Sequence, residues 1–338
     1  MRTRFAAALA ALAAAAVATW APRACAQQTA QGFALDRLYR SGPGGGWFVM
    51  DTLDMHGGLG GVMGVTAGYA HDPLRIRTTD GSQQLAVVSD EAMADVGFAA
   101  TYDRYRLYLG FEMPLDVSGQ SGVVGNYRFT APNSGQPFSP SGVNPSTAPD
   151  TIADARLGFD ARILGGPRSP FRLGGSAQLY ITSPNETRAE YETDGTVRGM
   201  MRLLFAGDVG AFGYAGHVGV HVRPLDDAPT PGSPQGSELL FGIAAGPRLP
   251  LGKEGATALV VGPEVFGESA LRSLFGSATG VEGLLSGRIE GTADDGAQLR
   301  VKLGVGAGLD ARFGVPEWRA IVGIELFDRG GRKPLLHP

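Results

Sequence analysis

His217 and His221 have the spacing at which two residues on one face of a helix can share a metal ion. They lie, however, in segment 211–223, where apolar and polar residues alternate as in a strand. At ~3.3 Å per residue the two side chains would be about 13 Å apart, too far for one ion to reach both. We therefore expect no metal site, and two imidazoles that face a polar interior.

The residue sets that catalyse group transfer are also missing from the sequence. Nucleophilic catalysis places a serine or cysteine beside a base, but the chain has five histidines and one cysteine, and no such set is apparent. The string GVGAGLD at 304–310 is similar to a dinucleotide-binding loop, but Leu309 stands where the third glycine is required. We therefore predict no enzyme, no catalytic residue and no cofactor.

Charged side chains instead recur on one face of many alternating segments. The residues predicted to line an interior lumen are Arg106, Glu112, Arg156, Asp160, Arg162, Arg172, Arg198, Arg202, His217, His221, Glu264, Glu282, Arg300 and Arg312. Two interpretations remain open. Ion pairs between neighbouring strands could fill the interior and close it, since a buried charge requires a partner. Alternatively, the charged wall lines a small water-filled pore whose arginines select anionic solutes.

The elements that must position these residues are strands, because the dominant period past residue 55 is two. In 298–313, apolar side chains from Leu299 to Phe313 alternate with a face that carries Arg300 and Lys302. Twelve such segments are predicted, at 58–70, 91–102, 105–117, 152–164, 170–182, 196–206, 211–223, 237–248, 256–268, 280–291, 298–313 and 317–327. These segments are longer than the ~5–6 residues of an average soluble strand and reach the ~9–11 that a tilted membrane-spanning strand needs.

The connections alternate between short turns and longer loops, the arrangement of outer-membrane barrels with short periplasmic turns. An even number of strands puts both ends of the chain on the same, periplasmic, side. Closure would also satisfy every backbone group within lipid. The sequence thus predicts an all-β fold: a transmembrane antiparallel up-and-down β-barrel of about 12 strands.

Composition agrees with an exported barrel. The 338 residues include 52 glycines without a three-residue period, which excludes collagen, and the net charge of −4 argues against a nucleic-acid partner. Arg2 and Arg4, an apolar run and Ala24-Cys25-Ala26 have the pattern of a cleaved signal peptide. We expect a signal peptide at 1–26, a periplasmic lead at 27–56, the barrel at 57–328 and a tail at 329–338.

Several short motifs carry a family resemblance. QGFALDRLY at 31–39 and WFVMDTLDMHG at 47–57 resemble the start of OmpA-family proteins of the myxobacterial type, and GVTAGYAHDPL at 64–74 and VGIELFDR at 322–329 resemble the first and last barrel strands of that group. The resemblance implies an outer-membrane barrel. In that family the barrel is commonly followed by acidic calcium-binding repeats and a peptidoglycan-binding domain. Here the sequence ends at GGRKPLLHP, so no wall-binding residues can be transferred.

The function expected from the sequence is that of a structural or porin-like outer-membrane protein, with a narrow channel for small solutes as its active form. The alternative is a barrel that anchors loops 118–150, 183–195 and 224–236 so that they bind a partner or ligand at the surface. The expected partners are outer-membrane lipid, the barrel-assembly machinery and a small solute, and the oligomeric state is left open.

Overall fold

The computed structural model describes residues 28–30, 32–55, 58–132, 152–182, 188, 191–225, 234–252, 256–291, 297–310 and 314–328. The predicted signal peptide, the predicted tail, Arg312 and much of the three longest predicted loops lie outside the described residues.

Fifteen strands are described. They are β1 (Gln28–Thr29), β2 (Leu59–Arg77), β3 (Gln84–Tyr102), β4 (Tyr105–Ser118), β5 (Gly122–Val124), β6 (Tyr127–Phe129), β7 (Asp154–Leu164), β8 (Arg172–Thr182), β9 (Arg198–Val209), β10 (Phe212–Val222), β11 (Glu238–Leu251), β12 (Thr257–Ala270), β13 (Thr279–Gly291), β14 (Ala297–Asp310) and β15 (Trp318–Asp328). A 3-10 turn, Leu271–Ser273, follows β12.

Twelve of these strands, β2–β4 and β7–β15, form one closed barrel in chain order. Each neighbouring pair is antiparallel, and β15 closes the barrel on β2 with Trp318 opposite His71 and Asp328 opposite Gly61. The predicted all-β, 12-stranded antiparallel barrel is confirmed. Among the residues that the structure describes, no helix is long and apolar enough to cross a membrane.

The barrel is apolar outside and charged inside, the reverse of a soluble protein. On β14 the outward side chains Leu303 and Val305 are 62% and 60% exposed, whereas the inward Arg300 and Lys302 are 3% and 5% exposed. Exposed apolar side chains follow the same alternation on the other long strands. Because a bilayer is the solvent that such a surface prefers, we describe the barrel as membrane-spanning.

The two ends of the barrel differ. Short turns follow β3, β7, β9, β11 and β13, and we call this the short-turn end. At the opposite, long-loop end, β5 pairs with β6, and β1 adds to β6 in parallel to make a small three-stranded sheet that we call the cap. The cap joins an apolar cluster that includes Phe33, Leu35, Val87, Val88, Val117, Val124, Phe129, Tyr191 and Leu225.

We expected residues 27–56 to form a periplasmic lead, and the described part of this lead packs within the barrel. Its described residues 32–55, which we call the lumen segment, run inside the barrel from the cap to the short-turn end. The side chains of Leu35, Met50 and Leu53 are fully buried there. The physical reason is that the lead is rich in large apolar residues, which would remain in water in an isolated extended segment.

Candidate functional site

The lumen segment is fastened first near the long-loop end. Arg223, one residue past β10, forms a bidentate ion pair with Asp194, in which both N–O distances are 2.6 Å. Asp194 also accepts the backbone N–H of Ala34 at 2.8 Å. The Nη1 atoms of Arg37 and Arg223 both reach Glu238 Oε1 on β11, at 2.6 and 2.5 Å. These paired charges tie the start of the segment to two loops and one strand.

The Asp194 carboxyl lies outside the spanning strands, and its ionisation is tuned by this arrangement. Burial by itself would raise its pKa, but Arg223 and then Arg198 outweigh burial and hold the pKa of Asp194 below its usual range. The Asp194 carboxylate therefore stays charged at neutral pH.

Tyr39 brings one of the predicted histidines into contact with the lumen segment. Its hydroxyl lies 3.1 Å from His221 Nδ1 and 3.4 Å from Glu238 Oε2. The two rings meet edge to face with centroids 4.9 Å apart. The other predicted histidine, His217, faces the lumen nearer the short-turn end, so the pair does not form one site, as the strand spacing indicates.

The next contacts reach the opposite wall. Arg40 forms a short ion pair with Glu112 on β4, and its carbonyl accepts an N–H from Arg156 on β7 at 2.8 Å. Asp36 pairs with Arg319 on β15 at 3.0 Å. The segment thus contacts strands on both sides of the barrel within five residues.

At mid-height the segment makes a glycine-rich reversal. Ser41 N–H donates to the carbonyl of Phe48 at 2.9 Å, which closes the loop SGPGGGWF. The Glu264 carboxylate on β12 accepts the backbone N–H groups of Phe48 and Val49 at 3.1 and 2.9 Å, and Ser286 donates to it at 2.7 Å. Two consecutive backbone donors on one buried carboxylate fix the position of the returning limb.

Near the short-turn end the contacts are again charged. Arg106 on β4 bridges Asp51 of the lumen segment and Asp160 of β7, with Nη2 2.6 Å from the latter. Arg162 and Arg172 donate to the carbonyls of Leu53 and Thr52 at 3.1 and 2.9 Å. Wall arginines therefore serve as donors to the backbone of the segment as well as partners for acids.

Glycines on the wall allow the segment to approach this closely. A Cβ added at Gly97 on β3 would lie 2.6 Å from Pro43, and one added at Gly242 on β11 would lie 2.4 Å from the Met50 methyl. Part of the high glycine content of the chain thus creates the space that the lumen segment fills.

Beside the segment, the wall also contains a cross-strand network. Glu325 on β15 receives Arg300 at 2.7 Å and Lys302 at 2.9 Å, and Arg300 Nε also reaches Glu290 on β13 at 2.7 Å. Each of these charges has an opposite charge as its neighbour, which is the arrangement that a buried ion needs. The pairing favours the closed-interior interpretation for this conformation.

The predicted lumen residues within the described ranges all face inward. Arg106, Arg156, Asp160, Arg162, Arg172, Arg198, Arg202, His217, His221, Glu264, Glu282 and Arg300 are buried, and Glu112 is largely so. Sequence reasoning missed Asp36, Arg37, Arg40 and Asp51, because it assigned their segment to the periplasm. The signal that could have revealed them was a lead in which charged residues are interspersed with many large apolar ones.

One group could be considered for a metal ion. His71, Asp72 and Glu317, at the long-loop end, place a ligand atom each within 4.8 Å of one another. Arg75 Nη1 already lies 2.8 Å from Glu317 and 3.8 Å from Asp72. A cation is therefore already present in the form of the guanidinium, and we assign no metal to this group.

Comparison with known proteins gives the fold neighbours only. No protein-family model matches the sequence, and a search of curated proteins finds no match. The structure is similar to an outer membrane channel from Pseudomonas putida F1, at 13% identity and a TM-score of 0.45 over 81% of this chain and 95% of that chain. It is also similar to NanC porin, at 7% identity and a TM-score of 0.40 over 78% of this chain and 98% of that chain. The beta domain of the Bordetella autotransporter BrkA is similar at 11% identity and a TM-score of 0.41, over 79% of this chain and 98% of that chain. These likenesses add nothing to what the closed barrel already shows.

Proposed function

We propose that the protein is an outer-membrane, porin-like channel whose own lumen segment closes it in the described conformation. The single observation that carries the proposal is the course of residues 32–55 through the barrel, held by Glu238, Glu264 and Arg106 on three separate strands. A segment on the axis of the barrel obstructs any solute path through it. The outer membrane is proposed because closed antiparallel barrels with this alternation are the outer-membrane type.

The chemistry of the contacts supports a removable obstruction over a permanent core. The segment packs apolar side chains such as Trp47, Phe48 and Met50 against the wall. It is also held by ion pairs and by hydrogen bonds to charged groups, which water can replace when it enters. The wall behind it is charged, so that an emptied lumen would be a hydrated polar pore. A barrel designed only for rigidity could fill its interior with wall side chains alone.

Planar-bilayer recordings of the folded full chain test this function. We expect wild-type channels to be closed for most of the recording, with brief openings to a discrete conductance. A variant with the charge pairs of the segment weakened, Arg37→Gln with Asp51→Asn, should open more often at the same conductance. The matched control is Arg75→Gln, which removes an ion pair at the rim and should gate as the wild type does. Silence in all three folded proteins would contradict the channel function.

Two finer assignments belong to the same proposal. The motifs at 31–39 and 47–57 support membership of the OmpA family, and they contain many of the lumen-segment residues that bind the wall. We assign the barrel no catalytic step, since the buried charges serve to hold the lumen segment. The lipid of the membrane, the barrel-assembly machinery and a small solute are the proposed partners.

Surface binding by the long loops stays a prediction. The described part of loop 118–150 contains β5 and β6, which pack over the mouth with residues 28–30. This cap belongs to the closure of the barrel, and most of loops 183–195 and 224–236 lies outside the described residues.

A further inference from the structure

Arg202, on the lumen wall, belongs to none of the ion-pair networks among the described residues. Arg202 on β9 is 5% exposed, and its Nε and Nη1 atoms are buried without a hydrogen-bond partner among the described residues. No carboxylate in that part of the chain forms a salt bridge with it. This distinguishes it from Arg106, Arg198 and Arg300, which each pair with at least one acid.

Its neighbours on the wall are also donors without partners. Ser176 on β8 lies directly opposite Arg202 in the β8–β9 register, and Gln178 is two residues further along the same strand. Ser176 Oγ, Gln178 Nε2 and the Tyr108 hydroxyl are all buried and unpartnered, as is His217 Nδ1 on β10. We call these five side chains, Tyr108, Ser176, Gln178, Arg202 and His217, the donor cluster.

Close packing directs two members toward each other. The Tyr108 ring lies across Gly158 of β7, where an added Cβ would be 2.4 Å from its hydroxyl oxygen. Gly158 pairs with Gln178 in the β7–β8 register, so the hydroxyl points toward β8. Arg202 is within electrostatic reach of the Tyr108 hydroxyl and of the His217 ring.

The lumen segment contacts β9 on either side of Arg202. Along β9, Tyr39 packs with Met200 on one side of Arg202, and Leu53 and Met55 pack with Leu204 on the other. Between those contacts the segment reaches β12, where Phe48 and Val49 bind Glu264. The apolar contacts of the segment with β9 therefore lie on either side of Arg202, and neither of them supplies an acceptor to its guanidinium.

We propose that the donor cluster is a binding site for a small inorganic anion, of the halide or phosphate class. Arg202 and the Gln178 amide nitrogen can only donate, and Tyr108, Ser176 and His217 can each donate to an anion as well as accept. Asp160, opposite Ser176, offers one unpartnered oxygen and is neutralised by Arg106. A buried cation without a counterion is costly, and an anion that accepts several of these hydrogen bonds removes that cost. The site depends on the geometry of the wall and not on movement of the lumen segment.

Thermal unfolding of the folded full chain provides the first test, in sodium bromide or phosphate against sodium gluconate at equal ionic strength. Because a ligand that binds the folded state raises the unfolding midpoint, we expect stabilisation of the wild type by bromide and phosphate. Arg202→Gln should weaken the apparent affinity about tenfold or more, as loss of a charged hydrogen-bond donor does. Tyr108→Phe and Ser176→Ala should weaken it less.

The matched control is Arg300→Gln, a buried lumen arginine that has carboxylate partners. It should lower the midpoint in every salt while keeping the response to bromide. Arg202→Gln should lose the response to bromide, and its unfolding midpoint in gluconate should be equal to or above that of the wild type. An equal anion response in Arg202→Gln and wild type would overturn the proposal.

Anomalous diffraction from crystals grown in bromide locates the ion directly. We expect a bromide peak within hydrogen-bond distance of Arg202 in the wild type and none in Arg202→Gln. Ordered water alone at this position, or bromide only at other positions, would contradict the site. Neither measurement uses conductance, so failure of the anion site and failure of the proposed channel are distinguishable.

Discussion

Glu264 on β12 accepts the backbone N–H of Val49 at 2.9 Å, and this bond joins the barrel wall to the lumen segment at mid-height. The same carboxylate accepts Phe48 N–H at 3.1 Å and is fully buried. An acceptor that serves two backbone donors cannot be replaced by an apolar side chain without leaving both donors unsatisfied. The bond therefore makes the position of the segment sensitive to one residue of the wall.

We predict that Glu264→Ala increases channel opening. Hydrogen bonds to a charged group contribute ~1.5–3 kcal/mol each, so the ratio of open to closed channels should rise about tenfold or more. Glu264→Gln, which keeps an acceptor oxygen, should have a smaller effect. Single-channel recording measures both. Ser286→Ala is the control, because it leaves the two backbone bonds in place, and a folded Glu264→Ala barrel that gates as the wild type does would contradict the prediction.

The fluorescence of Trp47 should detect the release of the lumen segment in Glu264→Ala. It is 3% exposed and stacks beneath Arg288, whose guanidinium carbon lies 4.8 Å from the ring centroid. In a background with Trp20→Phe and Trp318→Phe, we expect Trp47 emission that is blue-shifted and protected from acrylamide. Adding Glu264→Ala should shift the emission to the red and increase quenching. Adding Ser286→Ala should change neither, and protection that is unchanged in Glu264→Ala would show that the segment stays in place.

Substitution of Arg106 should destabilise the fold more than substitution of Asp51, one of its two acidic partners. Arg106→Gln leaves Asp51 and Asp160 as two buried acids without their shared cation, and breaking a buried pair in this way costs ~3–5 kcal/mol. Asp51→Asn should cost less, because Arg106 keeps Asp160 as a partner. Urea unfolding of the folded barrel in lipid vesicles measures the free energy of each variant. Equal losses in the two variants would show that the three groups do not act as one bridge.

Low pH should weaken the ion pair between Asp194 and Arg223 that holds the lumen segment near the cap. Because the pKa of Asp194 is lowered in the folded chain, its ion pair with Arg223 stabilises the fold fully above the unfolded pKa of ~3.9, and this contribution is lost as pH falls below that value. We predict that the thermal midpoint decreases between about pH 5 and pH 3. Asp194→Asn should lower the midpoint at pH 7 and flatten this decrease. Asp103→Asn, in an exposed short turn, is the control and should retain the wild-type profile.

The number and placement of the barrel strands could be predicted from the sequence. In β14, Leu299, Leu303 and Val305 face out while Arg300 and Lys302 face in, as the period of two indicates. A strand sends successive side chains to opposite faces whatever surrounds it. The inward direction of the predicted lumen residues follows from the same local rule once the outside is lipid.

The location of residues 32–55 was decided only by the tertiary structure. Arg37 and Glu238 are 201 positions apart, and Val49 and Glu264 are 215 apart. The lead has no strand or helix period that could assign it to a face, so its contacts exist only after the barrel has closed around it. The packing of the lumen segment against the curved wall determines which acid pairs with which base. The same packing leaves Arg202 without an acidic partner among the described residues. Local alternation determines which side chains face inward, whereas long-range packing determines what they face.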